Sequence, residues 1–419
     1  MINITRLWTG CTQPADHLRY GQGHGHGNAS TASCMPASAR ARKPIVVWNI
    51  TRTCNLRCVH CYADSHAEKY QGELTWEQCA AVIDDLADYK VNALLLSGGE
   101  PLVHPLLPQI LERATGRGLK VTISTNGTRI TPELAAHFKK LGVAYVGISL
   151  DGIGAVHDKF RGMEGAFDLA VRGFKLCEEV GQKTGLRLTL TRNNVQCMPE
   201  ILDFIERENI QRVCFYHLVP TGRGVAVETL TPEEARHAMD MLIERAEHWA
   251  AMGSARELLT VTQPADGIYL LLRQLREGRP LAAETLRLLQ WNGGGANSSG
   301  RGIANIDTQG NIHPDQFWQS VTLGNVKHQK FSEVWEAEAG AAVELLPELR
   351  ASDDPRERQG ALSGRCAHCR HFSLCGGGFR TRAAFANGNW YGSDPGCYLT
   401  DEEISRPIGL DKEGRATML

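Results

Sequence analysis

The chain has 419 residues, 42% of them hydrophobic, and a formal net charge of −2. That length suggests two or three domains with a real core, and the near-neutral balance argues against a nucleic-acid binder, which ordinarily carries a basic face. No apolar run approaches membrane-spanning length and no basic start precedes an apolar stretch at the N-terminus, so the expected protein is cytoplasmic, with no membrane partner.

Residues 1–42 read as a flexible leader, with the linker-like runs Gly21-Gln-Gly-His-Gly-His-Gly27 and Ser30-Thr-Ala-Ser33. From Lys43 strand-like runs at 45–50, 93–97, 120–124, 144–150, 186–191 and 212–218 alternate with helical patterns near 75–90, 104–117, 131–141, 165–182 and 197–209. Thr75 with Gln78 makes a capping box, and Thr131-Pro132 and Thr231-Pro232 are helix starts with proline at the first helical position. Strand–helix alternation implies right-handed βαβ units and a parallel sheet, and six units predict an α/β fold: a partial (β/α)6 barrel over 43–230. Residues 231–300 read as a helical linker ending in a Gly/Asn/Ser-rich break. Residues 301–419 read as a small C-terminal domain that opens with a hairpin over 303–313, followed by a helix near 331–346.

Thirteen cysteines in such a protein are expected to bind metal rather than to pair, because the cytosol keeps thiols reduced. Cys54, Cys58 and Cys61 lie in Thr51-Arg-Thr-Cys-Asn-Leu-Arg-Cys-Val-His-Cys-Tyr62, directly after the first barrel strand. Three thiolates on one loop suit a [4Fe–4S] cluster with one iron left open to bind a small molecule. Zinc is an alternative, with His60 or His66 as a fourth ligand; a thioredoxin-like redox pair leaves Cys54 unexplained. A second group, Cys366, Cys369, Cys375 and Cys397, offers four thiolates beside Gly376-Gly-Gly378, which fits a closed [4Fe–4S] cluster or a structural zinc.

The C-x3-C-x2-C loop, Ser97-Gly-Gly-Glu-Pro101, Ser124-Thr-Asn-Gly127 and Ser149-Leu-Asp-Gly152 follow one another at successive strand ends. In that order they resemble the signature of radical S-adenosylmethionine (SAM) enzymes. The C-terminal cysteines are similar to the SPASM/twitch-type extensions of that family, in a form with cysteines for one auxiliary cluster. The resemblance implies two [4Fe–4S] clusters, SAM, and a reducing partner such as ferredoxin or flavodoxin. It places Tyr62, Gly98, Gly99, Glu100, Ser124, Asn126, Ser149 and Asp151 around SAM. The longer strings Tyr145-Val-Gly-Ile-Ser-Leu-Asp-Gly-Ile-Gly154, His313-Pro-Asp-Gln-Phe-Trp318 and Pro395-Gly-Cys-Tyr-Leu-Thr-Asp-Glu-Glu403 resemble the branch that makes haem d1. That branch implies an iron-tetrapyrrole substrate, 12,18-didecarboxysirohaem, which loses two propionates. Its acetate-removing relative, a peptide maturase and a non-catalytic carrier are the alternatives. A polycarboxylate substrate calls for local cations, and Arg192, Arg223 and Arg301 lie in loop-like runs; Tyr216, His217 and His313 are further candidates for substrate contact.

Overall fold

The computed structural model describes residues 1–20, 43–293, 299–337 and 355–418. Its frame is one 11-stranded sheet. The expected barrel strands form as β2 (Ile45–Thr51), β3 (Ala93–Gly98), β4 (Val121–Thr125), β5 (Tyr145–Ser149), β6 (Thr184–Leu190) and β7 (Arg212–His217). Each pairs in parallel with the next in chain order. The connecting helices are Trp76–Asp88, Leu107–Gly116, Pro132–Lys140, Ala166–Glu179 and Met198–Arg207. Local signals set their starts. Thr75 accepts from Gln78 N while Gln78 Oε1 accepts from Thr75 N, and Thr131 caps a helix that begins on Pro132. The helices bury one face, such as Val82, Ile83 and Leu86 on the first, against outward residues of the strands, such as Leu94 and Leu96. The inward residues of the same strands line a cavity.

The frame extends beyond six strands. β8 (Glu257–Val261) pairs in parallel with β7, and β9 (Ile303–Ile306) pairs in parallel with β2, which makes eight parallel strands in one open sheet. β8 falls inside the stretch expected to be a helical linker. Its run Glu257-Leu-Leu-Thr-Val261 has no alternation and lies between two helices, so its pattern does not separate strand from helix. The predicted hairpin forms from β9 and β10 (Asn311–His313), and β11 (Gly324–Asn325) extends it. Because β9 sits on β2, the C-terminal segment shares the barrel's sheet. The helix expected over 331–346 is Phe331–Glu336 in the described residues, and 338–346 lies outside them.

The expected leader needs correction over residues 1–20. β1 (Ile2–Asn3) pairs antiparallel with β8, and the helix Ile4–Thr9 buries Ile4, Leu7 and Trp8. Asn3 donates to Asp16 (2.8 Å), and Tyr20 Oη accepts from Asn3 N (2.9 Å). Four apolar side chains, Ile2, Ile4, Leu7 and Trp8, each at most 2% exposed, hold this segment on the body by burial. The glycine–histidine run at 21–27 lies outside the described residues. The described helices include none long and apolar enough to cross a membrane.

Candidate active site

At the C-terminal ends of the parallel strands a cavity of about 1090 Å3, counting its open mouth, is lined by Cys54, Cys58, Cys61, Tyr62, Gly98, Gly99, Ser124, Asn126, Ser149, Tyr216, His217 and Arg223. The βα loops converge there because all these strands point the same way. The cysteine loop is tied down from several sides. Arg57 N and Val59 N donate to Arg161 O and Phe160 O, and Cys54 N donates to His66 O (2.9 Å). Arg223 Nε donates to Cys58 O (2.8 Å), while its Nη1 reaches Asp64 Oδ1 (2.8 Å) and Ser65 O (3.0 Å). Arg223, proposed from sequence for substrate, is thus engaged in holding the loop.

Gly98 and Gly99 lie against this loop. A Cβ on Gly98, at φ +146°, would stand 2.3 Å from Thr51 O, and one on Gly99 would stand 2.4 Å from Thr53 O. Only glycine lets the two backbones meet. Glu100 turns the other way. Its carboxylate is 1% exposed and accepts from Leu102 N (3.0 Å), Thr125 Oγ1 (2.6 Å) and Asn126 N (2.7 Å). Burial pushes that carboxyl upward, and these three bonds pull it down. The Glu100 carboxylate thus fastens the strand-end loop that carries Asn126. Asp151 does not line the cavity. It is fully buried, pairs with Arg161 and accepts from Thr189 N (2.7 Å).

Two further expectations fail on geometry. Arg192 is on the surface, paired with Glu228 (3.0 Å) and Glu234 (3.1 Å). His313 is 2% exposed, with Nδ1 at 2.7 Å from Val321 O and Nε2 at 3.3 Å from Asp307 Oδ2, so both ring nitrogens are used. Neither these nor Arg301 lines the cavity. His217 does line it, with Nε2 at 3.1 Å from Asp266 Oδ2. Tyr398 Oη donates to the other oxygen of Asp266 (2.6 Å), and Tyr398 adjoins Cys397.

Sequence reasoning missed Arg161, Arg187, Thr189 and Phe317 on the cavity wall. Arg161 Nη1 donates to Cys58 Sγ (3.4 Å), and Phe317 sets its ring edge-on to Tyr62 at 5.3 Å. Arg161 ends a helix, and nothing in its sequence surroundings marks it. Arg187 and Thr189 did carry a signal. In Leu186-Arg-Leu-Thr-Leu190 the leucines face the helices, so the polar residues must face inward.

The donor chemistry fits an iron–sulfur cluster on the first loop. Burial pushes the Cys54 thiol up to about 12 against a hydrogen bond from Leu56 N, and Cys58 and Cys61 raise it further. Burial likewise raises Cys58 against the lowering charge of Arg161. Such a set becomes thiolate when a bound cation offsets the crowded negative charge. The second group gathers around another cavity of about 480 Å3, lined by Cys366, Cys369, Cys375 and Cys397. Gly378 N donates to Cys375 Sγ (3.0 Å) and His371 N to Cys369 Sγ (3.4 Å). Burial pushes Cys369 up to about 11. Among the described residues no three His, Cys, Asp or Glu side chains are grouped so as to hold a single metal ion.

Residues 48–205 match the Radical SAM superfamily. The chain is 44% identical, over 96% of its own length and 99% of the relative's, to a protein of Methanosarcina barkeri named Fe-coproporphyrin III synthase. This chain belongs to the radical SAM superfamily. A second radical SAM relative, named pre-heme d1 synthase, from Dinoroseobacter shibae, is 40% identical over 88% of this chain and 90% of its own. Among solved structures, anSMEcpe with bound AdoMet and a peptide superposes with a TM-score of 0.62 at 17% identity, covering 86% of this chain and 95% of that one. Streptococcus suis SuiB bound to its precursor peptide gives 0.65 at 16% identity, covering 86% and 76%. These likenesses show the shared radical SAM fold. The chain is a radical SAM enzyme of haem-related biosynthesis, and membership implies a [4Fe–4S] cluster and SAM.

Proposed function

We propose that this enzyme removes carboxylate side chains from 12,18-didecarboxysirohaem, and that the groups lost are its acetates, leaving an iron coproporphyrin. The observation that carries this is the 44% identity, spanning 96% of the chain, to a relative named for that product. The propionate loss expected from the sequence strings is the second reading, supported by 40% identity to the pre-heme d1 synthase.

Cys54, Cys58 and Cys61 would hold the cluster, with Gly98, Gly99, Ser124, Asn126 and Ser149 around SAM beside it. Cluster and SAM, held there, would supply the chemistry of hydrogen-atom removal from the substrate. The protein's own part is to hold and to shield. Arg223 and Arg161 fix the cysteine loop, Glu100 fixes the loop of Asn126, and the enclosing strands exclude water. His217, with Nε2 held by Asp266, is the residue we assign to the substrate's iron; a carboxylate behind the second ring nitrogen orients such a ligand. Cys366, Cys369, Cys375 and Cys397 are assigned an auxiliary [4Fe–4S] cluster. Anaerobic metal analysis tests this: roughly eight irons per chain are expected from two such clusters, against roughly four irons and a zinc. A one-electron reductant such as ferredoxin or flavodoxin would supply the first cluster.

Product masses from reconstituted enzyme given 12,18-didecarboxysirohaem, SAM and a reductant test the reading. Loss of two-carbon acid units supports it. Loss of three-carbon units moves the enzyme to the second reading.

A further inference from the structure

The cavity holds more positive charge than the cysteine loop uses. Of its three arginines, Arg161 is matched by Asp151, and Arg223 by Asp64 and two backbone carbonyls. Arg187 has no carboxylate partner among the described residues. Its guanidinium carbon lies 4.8 Å from the centroid of the Tyr216 ring. Removing such a cation from bulk water without a counter-charge is costly. The fold nonetheless makes room for it: a Cβ on Gly147 of the neighbouring strand would stand 2.6 Å from Arg187 Cδ.

The position matters as much as the charge. Arg187 lies on the inner face of β6, in register with Ser149 on β5 and Cys214 on β7. Ser149 is the last residue of β5, so Arg187 stands level with the strand ends that carry the Gly98-Gly99 turn and the cysteine loop. It lines the same cavity as those residues, within reach of a carboxylate on a ligand bound there.

We infer that Arg187 receives a carboxylate of the substrate at the barrel mouth, and so sets which side-chain carbon is presented for hydrogen removal. This rests on the tetrapyrrole reading above. A planar guanidinium takes a carboxylate through two parallel N–H bonds, which fixes orientation as well as position. Acetate and propionate differ by one carbon, so an anchored carboxylate sets the depth at which the macrocycle rests.

The test is equilibrium binding by absorbance titration to cluster-reconstituted protein, with three probes: 12,18-didecarboxysirohaem, its fully methyl-esterified form, and SAM. Arg187→Met is expected to weaken the acid about tenfold to a hundredfold, while the ester and SAM stay within about twofold. Arg187→Lys, which keeps the charge and loses the fork, should fall between; it also serves if the methionine variant does not fold. Unchanged binding of the acid by either variant overturns the assignment. Weakened SAM with unchanged tetrapyrrole also overturns it, and gives the guanidinium to the SAM carboxylate. If the wild-type protein binds neither tetrapyrrole, the tetrapyrrole reading itself has failed, whatever the variants do.

Discussion

Replacing Glu100 by glutamine separates a loop fastener from a ligand-binding residue. In the wild-type protein one carboxylate oxygen accepts from Leu102 N (3.0 Å) and Thr125 Oγ1 (2.6 Å), and the other accepts from Asn126 N (2.7 Å). An amide can present its oxygen to only one side. Either Leu102 N or Asn126 N then faces an NH2 group, and a buried donor goes unpaired. Each lost charge-assisted bond is worth about 1.5–3 kcal/mol. The substitution also relieves the burial cost that pushes the Glu100 carboxyl upward. The net expectation is a loss of roughly 2–4 kcal/mol of stability. Urea unfolding of anaerobic, reconstituted protein would read it as a lower midpoint. SAM affinity should fall with it, because Asn126 and Gly127 lose their anchor, and cluster iron should stay. A variant with wild-type unfolding that no longer binds SAM would refute this reasoning and put the carboxylate on the ligand.

His157 supplies a pH dependence. Burial pushes it down to about 4, and its Nδ1 accepts from Asp151 N (3.0 Å). The unfolded chain, with an ordinary histidine near 6.5, then binds more protons than the native one between pH 4 and 6.5. Stability should rise with pH across that window, by about 3 kcal/mol from this group; His157→Asn, which keeps an acceptor there, should flatten the slope, and an unaltered slope sinks the idea. Arg223→Met should loosen the cysteine loop, so iron content after anaerobic reconstitution should drop or the cluster should decay faster in air; wild-type retention of iron would count against the brace. Deleting residues 1–20 removes four buried apolar side chains, Ile2, Ile4, Leu7 and Trp8, each worth about 1.5–3 kcal/mol. The truncated chain should be insoluble or melt much earlier, and one that melts like wild type would show the segment to be dispensable.

The barrel was legible because its strands alternate with helical patterns in a regular order, and because Thr75, Thr131 and Thr231 mark helix starts with side chains that the structure uses as caps. The outlying strands were not. β8, as short as β4 and β5, has no alternation and lies between helices, and β1 is two residues. The helix Ile4–Thr9 did leave a trace in the spacing of Ile4, Leu7 and Trp8, which the glycine-rich run after it obscured. In the site, the cysteines could be read from their spacing, and the Gly98-Gly99 turn from its resemblance to the family's motif. The roles of the charged residues could not. A motif names Glu100 and Asp151 without saying what they bond, and in the structure both accept from buried backbone donors, Asn126 N and Thr189 N. Arg192 and Arg223 sit in loops where sequence gives no partner, and carboxylates or carbonyls take both.

The central claim is that a radical formed at the Cys54–Cys58–Cys61 loop takes a hydrogen from a tetrapyrrole side chain inside the barrel. The most direct measurement is isotope transfer: reconstituted enzyme, SAM and reductant with 12,18-didecarboxysirohaem deuterated on its acetate methylenes, followed by mass spectrometry of the 5′-deoxyadenosine formed. The account predicts deuterium in the 5′-deoxyadenosine together with loss of acetate from the macrocycle. Unlabelled 5′-deoxyadenosine, formed while the tetrapyrrole keeps its mass, would contradict it.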